Sequence, residues 1–168
     1  MRETRINQNI GISEQNLGRL RMRWWIVKVV CGTTLIAALI IKTLHVLPSY
    51  WYCSLAVAQF LALLGFLIVI FHYFVLKKQN KNIEVPSELI TQHGLYRWVR
   101  HPMYLADYLL FTGVFLLFAN PFSLVVLLIA YVALFLQAKE EDRYLNYVFG
   151  DRFLAWKGNT RLILPWIY

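Results

Sequence analysis

"YLADYLLFTGVFLLFANPFSLVVLLIAYVALFLQ", residues 104 to 137, contains two apolar runs separated by Ala119, Asn120 and Pro121. A turn this short places two helices side by side in opposite directions. The first run has 15 residues, and a helix of that length extends only about 22 Å. The hairpin is therefore expected either to stop short of the far membrane surface or to extend into its polar flanks.

Two longer apolar runs precede this hairpin, at residues 24 to 44 and 51 to 76, and both meet the requirement of about 20 residues for a membrane helix. The chain has 168 residues, of which 59% are hydrophobic and 15% charged, and its mean hydropathy is +0.51. These values are too apolar for a soluble domain of this length. The sequence predicts an all-α, polytopic membrane helix bundle of about four transmembrane helices, with a cytoplasmic C-terminal helical extension.

The predicted organisation is a cytoplasmic N-terminal segment, residues 1 to 23, followed by a single membrane domain, residues 24 to 168. The predicted helices cover residues 24 to 44, 51 to 76, 102 to 118 and 121 to 149. This length leaves no room for a separate soluble catalytic domain, so any chemistry has to use the bundle and its loops.

The basic residues indicate how the bundle is oriented. Of 17 lysines and arginines, 15 lie before the first helix, between the second and third, or after the fourth. The positive-inside rule then places both termini and the central loop in the cytoplasm, at the inner membrane of a bacterium or the endoplasmic reticulum of a eukaryote. Anionic lipid headgroups are the expected partners of these cations, and nucleic acid is not. Lys28 and Lys42, inside the first apolar run, are expected to snorkel to the surface.

The stretch "YRWVRHPMYLADY", residues 96 to 108, leads into the third helix with a basic and aromatic sequence. Pro102 suits the first turn of a helix, which places His101 near the cap. The free N–H groups of that turn, beside Arg97 and Arg100, are suited to a carboxylate or a phosphate. An alternative is that the arginines only anchor the helix among the headgroups.

A second polar stretch, "QAKEEDRYLNYVFG", continues the fourth helix from residue 137 to residue 150. Glu140, Glu141 and Asp142 repel one another unless they bind a cation, and Tyr144 lies one turn beyond Glu140. An alternative is a solvated helix end in which neighbouring cations balance the acids. Because the hairpin brings this stretch beside the start of the third helix, the two together are suited to a zwitterionic cofactor. No spacing typical of a metal site occurs, and no metal is expected.

Two polar motifs separated by the apolar hairpin form one longer pattern. "LITQHGLYRWVRHPMYLADYL", followed by "EEDRYLNYVFGDRFLAW" and "RLILPW", resembles the membrane methyltransferases typified by isoprenylcysteine carboxyl methyltransferase, a superfamily that includes phospholipid methyltransferases. The resemblance covers roughly residues 88 to 166. It departs from the family pattern at Ala106, where glycine is usual, and at Leu95, where proline is usual.

The resemblance implies S-adenosylmethionine as the cofactor and an amphiphilic lipid or prenylated substrate. The residues expected to bind the cofactor are Tyr96, His101, Pro102, Tyr104, Glu140, Glu141 and Tyr144. The residues expected to take part in catalysis are Arg97, Arg100, His101 and Arg152. A carboxylate substrate needs no base and would be oriented by an arginine, whereas a lipid amine has to lose a proton to His101 or to a glutamate.

Three other functions remain open alongside an isoprenylcysteine carboxyl O-methyltransferase. A phospholipid N-methyltransferase of the phosphatidylethanolamine type would use the same cofactor. An NADPH-dependent lipid or steroid reductase shares the closing hairpin, but would have an Asn-Tyr-x-Gly-Glu type of sequence at residues 101 to 107. A non-catalytic membrane subunit would bind neither cofactor.

Overall fold

The computed structural model describes residues 14–43, 55–78 and 94–164 of the chain. Within these ranges lie five α-helices and one 3₁₀ turn: α1 Glu14–Thr43, α2 Leu55–Lys78, the turn Gly94–Arg97, α3 Pro102–Leu116, α4 Pro121–Phe149 and α5 Asp151–Asn159. The described ranges contain no β-strand beyond one isolated parallel bridge, which joins Val99 to Arg161. The predicted outer loop 45 to 50 and most of the central loop, with Lys81, lie outside the described residues.

The helix bounds differ from the predicted ones mainly at the start of α1. That helix begins at Glu14, ten residues before the predicted position, because the residues ahead of the apolar run include good helix formers such as leucine, arginine and methionine. Helix α3 ends at Leu116, two residues early, and α4 covers its predicted range.

Within the described ranges, three helices are long and apolar enough to cross a membrane, at Met22–Lys42, Leu55–Val75 and Pro121–Phe149. Helix α3 is apolar as well, but it has only 15 residues. Large apolar side chains, such as Phe60, Phe66 and Leu128, are more than half exposed on these helices, which is expected of surfaces that face lipid. The predicted all-α membrane fold is confirmed, and the chain is an integral membrane protein.

The bundle is built from two closely packed helix pairs, α2 with α3 and α1 with α4. Small residues allow the backbones of α2 and α3 to approach closely. A Cβ atom placed on Gly113 of α3 would lie 2.4 Å from the backbone nitrogen of Ala62, and one on Gly65 of α2 would lie 2.7 Å from the carbonyl oxygen of Ala106. Ala106, the departure from the family pattern, is thus buried in this helix interface.

The predicted tight turn between α3 and α4 is fixed by a reciprocal helix cap. The side chain of Asn120 accepts a hydrogen bond from the Ser123 N–H at 2.9 Å, and the Asn120 N–H donates to the Ser123 hydroxyl at 3.1 Å. Pro121 follows as the first helical residue. The cap reverses the chain abruptly, so the start of α3 and the end of α4 lie at the same end of the bundle.

Candidate active site

The start of α3 and the end of α4 meet through direct side-chain contacts. The Tyr104 hydroxyl donates a hydrogen bond of 2.6 Å to Oε1 of Glu141, and His101 lies 3.3 Å from the other oxygen of the same carboxylate. The rings of His101 and Tyr104 stack with their centroids 5.3 Å apart. The predicted proximity of these two stretches is confirmed.

His101 lies between two carboxylates and is almost fully buried. Its Nδ1 faces Oε2 of Glu141, and its Nε2 lies 3.0 Å from Oδ1 of Asp142. Burial by itself lowers the pKa of this imidazole, but the two acidic neighbours outweigh it and raise the pKa above its usual value. An acceptor at each ring nitrogen favours the imidazolium form of His101, which can donate to both acids.

The contacting side chains of Arg100, His101, Tyr104, Glu141 and Asp142 form one buried cluster, and Asp142 is its second centre. Besides His101, it accepts from Nε of Arg100 at 3.0 and 3.2 Å. The same guanidinium donates through Nη1 to the carbonyl of Thr160 at 2.7 Å. Arg100, His101 and Asp142 are all buried. The carboxylate of Asp142 therefore compensates the charges of its two basic neighbours where little water reaches them.

Residues 160 to 162, after α5, complete the cluster through backbone hydrogen bonds. The N–H of Arg100 donates to the Arg161 carbonyl at 2.7 Å, and the N–H of His101 donates to the Leu162 carbonyl at 3.0 Å. In return, the Arg161 N–H donates to the Trp98 carbonyl at 2.8 Å. Arg161 and Leu162, which begin the "RLILPW" motif, therefore hold residues 98 to 101 in place ahead of α3.

Lys28 contradicts the expectation that it snorkels. From the middle of α1, its ammonium donates to Oδ2 of Asp107 on α3 at 3.1 Å and lies 5.2 Å from the centroid of the Tyr104 ring. Both members of this ion pair are about four-fifths buried. Lys42 also bonds within the bundle, to the carbonyl of Leu117 at the end of α3. Both lysines therefore connect α1 to the α3 region, because a cation in an apolar environment is less costly when it has a partner.

The acids at the end of α4 are not a solvated helix end, since all three are buried. Glu140 accepts from Nη1 of Arg143 at 2.7 Å through Oε1, whereas its Oε2 has no hydrogen-bond partner among the described residues. One turn earlier on the same face, Oε1 of Gln137 is buried and likewise has no partner there. Two acceptors of this kind are costly unless a donor reaches them.

The family is decided by sequence comparison. A family model described as phospholipid methyltransferase matches residues 53–152. This chain belongs to that family. The match includes His101, Tyr104 and the acids of α4, so the predicted resemblance is confirmed.

Two curated relatives of this phospholipid methyltransferase family member are named protein-S-isoprenylcysteine O-methyltransferase. The one from Xenopus laevis is 30% identical over 129 residues, which cover 69% of this chain and 44% of the relative. The one from Saccharomyces cerevisiae is 29% identical over 97 residues, which cover 57% of this chain and 38% of the relative. The chain thus spans less than half the length of these relatives. No solved structure matches it.

In this family member, the remaining predicted site residues occupy different environments. Tyr96 is buried, and the pKa of its phenol is raised first by burial and then by the negative charge of Glu141. Pro102 is the first residue of α3, as predicted, and Tyr144 is half-buried one turn beyond Glu140. Arg97 and Arg152 are exposed, and Arg152 lies 5.9 Å from the Phe149 ring centroid. Among the described residues, no ion pair connects these two arginines to the buried cluster.

His72 of α2 holds the segment that precedes α3 through hydrogen bonds within the bundle, as its position inside an apolar helix suggests. His72 is fully buried, its Nε2 accepts from the Leu95 N–H at 3.3 Å, and its Nδ1 lies 3.0 Å from the Ile68 carbonyl. Its ring meets Tyr96 edge to face at 5.6 Å. Gly94, with φ of +60°, supplies the left-handed turn that this approach requires.

Sequence reasoning missed Gln137, Asp107 and the central role of Asp142. The signal for Gln137 was present, because it is the first polar residue to end a long apolar run and lies one turn before Glu140. The signal for Asp107 was an acid within an apolar helix, which calls for a cationic partner. In the described part of the chain, no group of three or more potential metal ligands occurs.

Proposed function

We propose that this protein is an S-adenosylmethionine-dependent methyltransferase that acts on an amphiphilic, lipid-like substrate, most closely an isoprenylcysteine carboxylate. The observation that carries the proposal is the pair of buried acceptors on α4, Glu140 Oε2 and Gln137 Oε1, beside the cluster of His101, Tyr104 and Glu141. Family membership and the names of the two relatives support the same reaction class.

The donors of S-adenosylmethionine fit these acceptors. Its ammonium and ribose hydroxyls are hydrogen-bond donors, and Glu140 and Gln137 offer buried oxygens one helical turn apart. The tyrosine faces of Tyr104 and Tyr144 are suited to its positive sulfonium. When bound, the cofactor supplies an electrophilic methyl group for in-line displacement.

The protein side chains then divide into binding and positioning groups. His101 bonds both Glu141 and Asp142, so we assign it to orienting Glu141 rather than to accepting a proton. If the substrate has to be deprotonated, a glutamate of α4 is the better base, because His101 already contacts two carboxylates. A substrate carboxylate needs no base, and the exposed cations Arg97 and Arg152 are placed to attract it. Arg100 acts as a positioning residue through Asp142.

The membrane location determines how the substrate enters. We infer that the substrate tail lies laterally between the helices and that its head enters from the end where α3 starts and α4 ends. The cations of the described residues concentrate at this end, so the positive-inside rule makes it cytoplasmic. Because α3 starts at this end and α4 returns to it, α3 has to carry the chain across as a fourth, shorter membrane helix. A water-soluble substrate without an apolar group should be a poor acceptor.

Binding of S-adenosylhomocysteine to purified protein, measured by calorimetry, tests the cofactor site. Glu140→Gln keeps the size of the side chain but removes its charge, and we expect binding to weaken by about 10- to 100-fold, as for a lost charged hydrogen bond. Asp151→Asn, an exposed acid on α5, is the matched control and should bind as the wild type does. Equal affinity in Glu140→Gln and wild type would contradict the assigned pocket, and tight binding of NADPH would favour a reductase.

A phospholipid N-methyltransferase is the second candidate, because the matching family model is described as phospholipid methyltransferase. Transfer of radiolabelled methyl groups to a prenylcysteine analogue and to phosphatidylethanolamine, assayed in parallel, separates the two. We expect the prenylcysteine analogue to be labelled as a base-labile ester. Labelling of the lipid amine alone would identify the second candidate as correct.

A further inference from the structure

A second concave site lies beside the buried cluster, between the end of α4, α5 and the segment 160 to 162. Its volume is about 520 Å³, within the range of small-molecule sites. Five of its lining residues are basic and one is acidic, and the basic ones are Arg100, Lys139, Arg143, Lys157 and Arg161. Asn146 and Thr160 add neutral polar groups, and Phe153, Leu154 and Leu162 add apolar ones.

This basic cavity differs from the proposed cofactor pocket. It shares Arg100, Asp142 and the segment 160 to 162 with the buried cluster, but His101, Tyr104 and Glu141 do not line it, and neither do Gln137 and Glu140. Its one acid is already bonded to two cations, Arg100 and His101. The cavity therefore offers no carboxylate to a cationic ligand, and the sulfonium and ammonium of the cofactor would be repelled there.

Two of the five cations form no ion pair with the acids of the described residues. Arg100 pairs with Asp142, and Arg143 pairs with Glu140. Lys157 and Arg161 are exposed, and in the part of the chain that the structure describes neither belongs to an ion pair. Several cations that converge on one cavity lower the cost of bringing in an anion, and guanidinium groups match phosphate oxygens in geometry.

The depth of the cavity relative to the membrane indicates the source of the anion. Lys139 and Arg143 follow within two helical turns of Gln137, where the apolar run of α4 ends. That distance is on the order of the thickness of the headgroup layer. Leu154 lines the cavity and is half exposed, so an apolar surface adjoins the basic one. We propose that this cavity binds the phosphate headgroup of an acidic phospholipid, at a site separate from the methyl-transfer site.

Lipid binding can be measured without any assay of methyl transfer, so its failure is distinguishable from failure of the proposed function. We expect the wild-type protein in detergent to bind short-chain phosphatidic acid at least about tenfold more tightly than phosphatidylcholine, detected by native mass spectrometry. The double variant Lys157→Gln/Arg161→Gln should lose about tenfold or more of that affinity, since each cation near a lipid phosphate contributes appreciably.

The matched control is Lys77→Gln/Lys78→Gln, which removes two cations from the end of α2, outside the cavity lining. It should bind phosphatidic acid as the wild type does, and an unchanged thermal midpoint in both double variants excludes unfolding as the cause. Equal losses in the two double variants, or none in Lys157→Gln/Arg161→Gln, would overturn the proposal. Competition by inorganic phosphate as strong as by phosphatidic acid would overturn the lipid source and indicate a soluble phosphate instead.

Discussion

Asp142 holds two buried cations at once, and this decides the chemistry of its neighbours. Its carboxylate accepts from Arg100 and His101, which come from consecutive positions before α3. Burial strengthens each of these attractions and makes the loss of any one group costly. The site is consequently pre-organised by charge, and the orientation of His101 towards Glu141 depends on a residue with no assigned contact to cofactor or substrate.

Removal of the charge on Asp142 should destabilise the protein. Asp142→Asn leaves the buried Arg100 without its carboxylate partner and leaves His101 with Glu141 alone, so we expect a loss of about 3–5 kcal/mol. Thermal unfolding in detergent, followed by circular dichroism, measures it. Asp151→Asn removes an exposed acid and serves as the control. A midpoint for Asp142→Asn within error of the control would show that the buried triad is not formed.

The pKa of His101 predicts a pH dependence of stability. Because this pKa is raised on folding, the stabilisation is complete below the unfolded value of about 6.5 and is lost as pH rises through the folded pKa. The thermal midpoint of the wild type should therefore fall between neutral and alkaline pH. In His101→Gln, which cannot be charged, that part of the fall should disappear. The same slope in both proteins would assign it to another group.

At the scale of the helices, the bundle depends on small residues in one interface and on an ion pair in another. Gly113 and Gly65 allow α2 and α3 to approach until their backbones touch. Lys28 and Asp107 connect α1 to α3 through charge. Without a hydrophobic driving force between helices in lipid, such close packing and polar contacts are what orders them.

A single methyl group should disturb the α2–α3 interface. In Gly113→Ala the new Cβ lies 2.4 Å from a backbone atom, so the helices have to separate, and we expect a loss of about 1–3 kcal/mol. Gly158→Ala, in α5, meets nothing within 4 Å and should stabilise by up to about 1 kcal/mol through helix propensity. Thermal unfolding of the two variants compares them, and an equal response would contradict the close packing.

The ion pair between α1 and α3 can be isolated by a double-mutant cycle. Lys28→Met and Asp107→Asn each leave a partly buried charge without its partner, whereas the double variant removes both charges. We expect a coupling energy of about 0.5–3 kcal/mol, measured from unfolding free energies. Additive effects of the two substitutions would show that the side chains do not interact.

At the scale of the whole molecule, the antiparallel path of the helices places the buried cluster and the basic cavity at one end of the bundle. Lys78 at the end of α2 and Asn159 at the end of α5 lie at this end, whereas Phe122 follows the turn at the other. In a variant whose two native cysteines are replaced by serine, Lys78→Cys and Asn159→Cys should react only with reagent on the cytoplasmic side. Phe122→Cys should react only from the opposite side. Labelling of all three from one side would contradict the orientation.

Much of this fold could be predicted from sequence because its signals are local. A long apolar run and the turn at Asn120 and Pro121 predicted where α4 begins, and the short turn implied that the start of α3 lies near the end of α4. The start of α1 was placed too late, because hydropathy detects the membrane-embedded part of a helix and not its polar extension. The snorkelling of Lys28 was wrong for a related reason, since a lysine in an apolar run gives no indication of its partner on another helix.

The sequence by itself determined the membrane class, the hairpin and the two motifs that meet at one end of the bundle. These follow from apolar length, charge asymmetry and turn chemistry, which act over a few residues. Only the tertiary structure decided that Asp142 holds Arg100 and His101 together, that Glu140 and Gln137 keep buried acceptors available, and that five cations surround a single cavity. These properties depend on which side chains face one another across separate helices, and burial and charge compensation there are set by the packing of the whole chain.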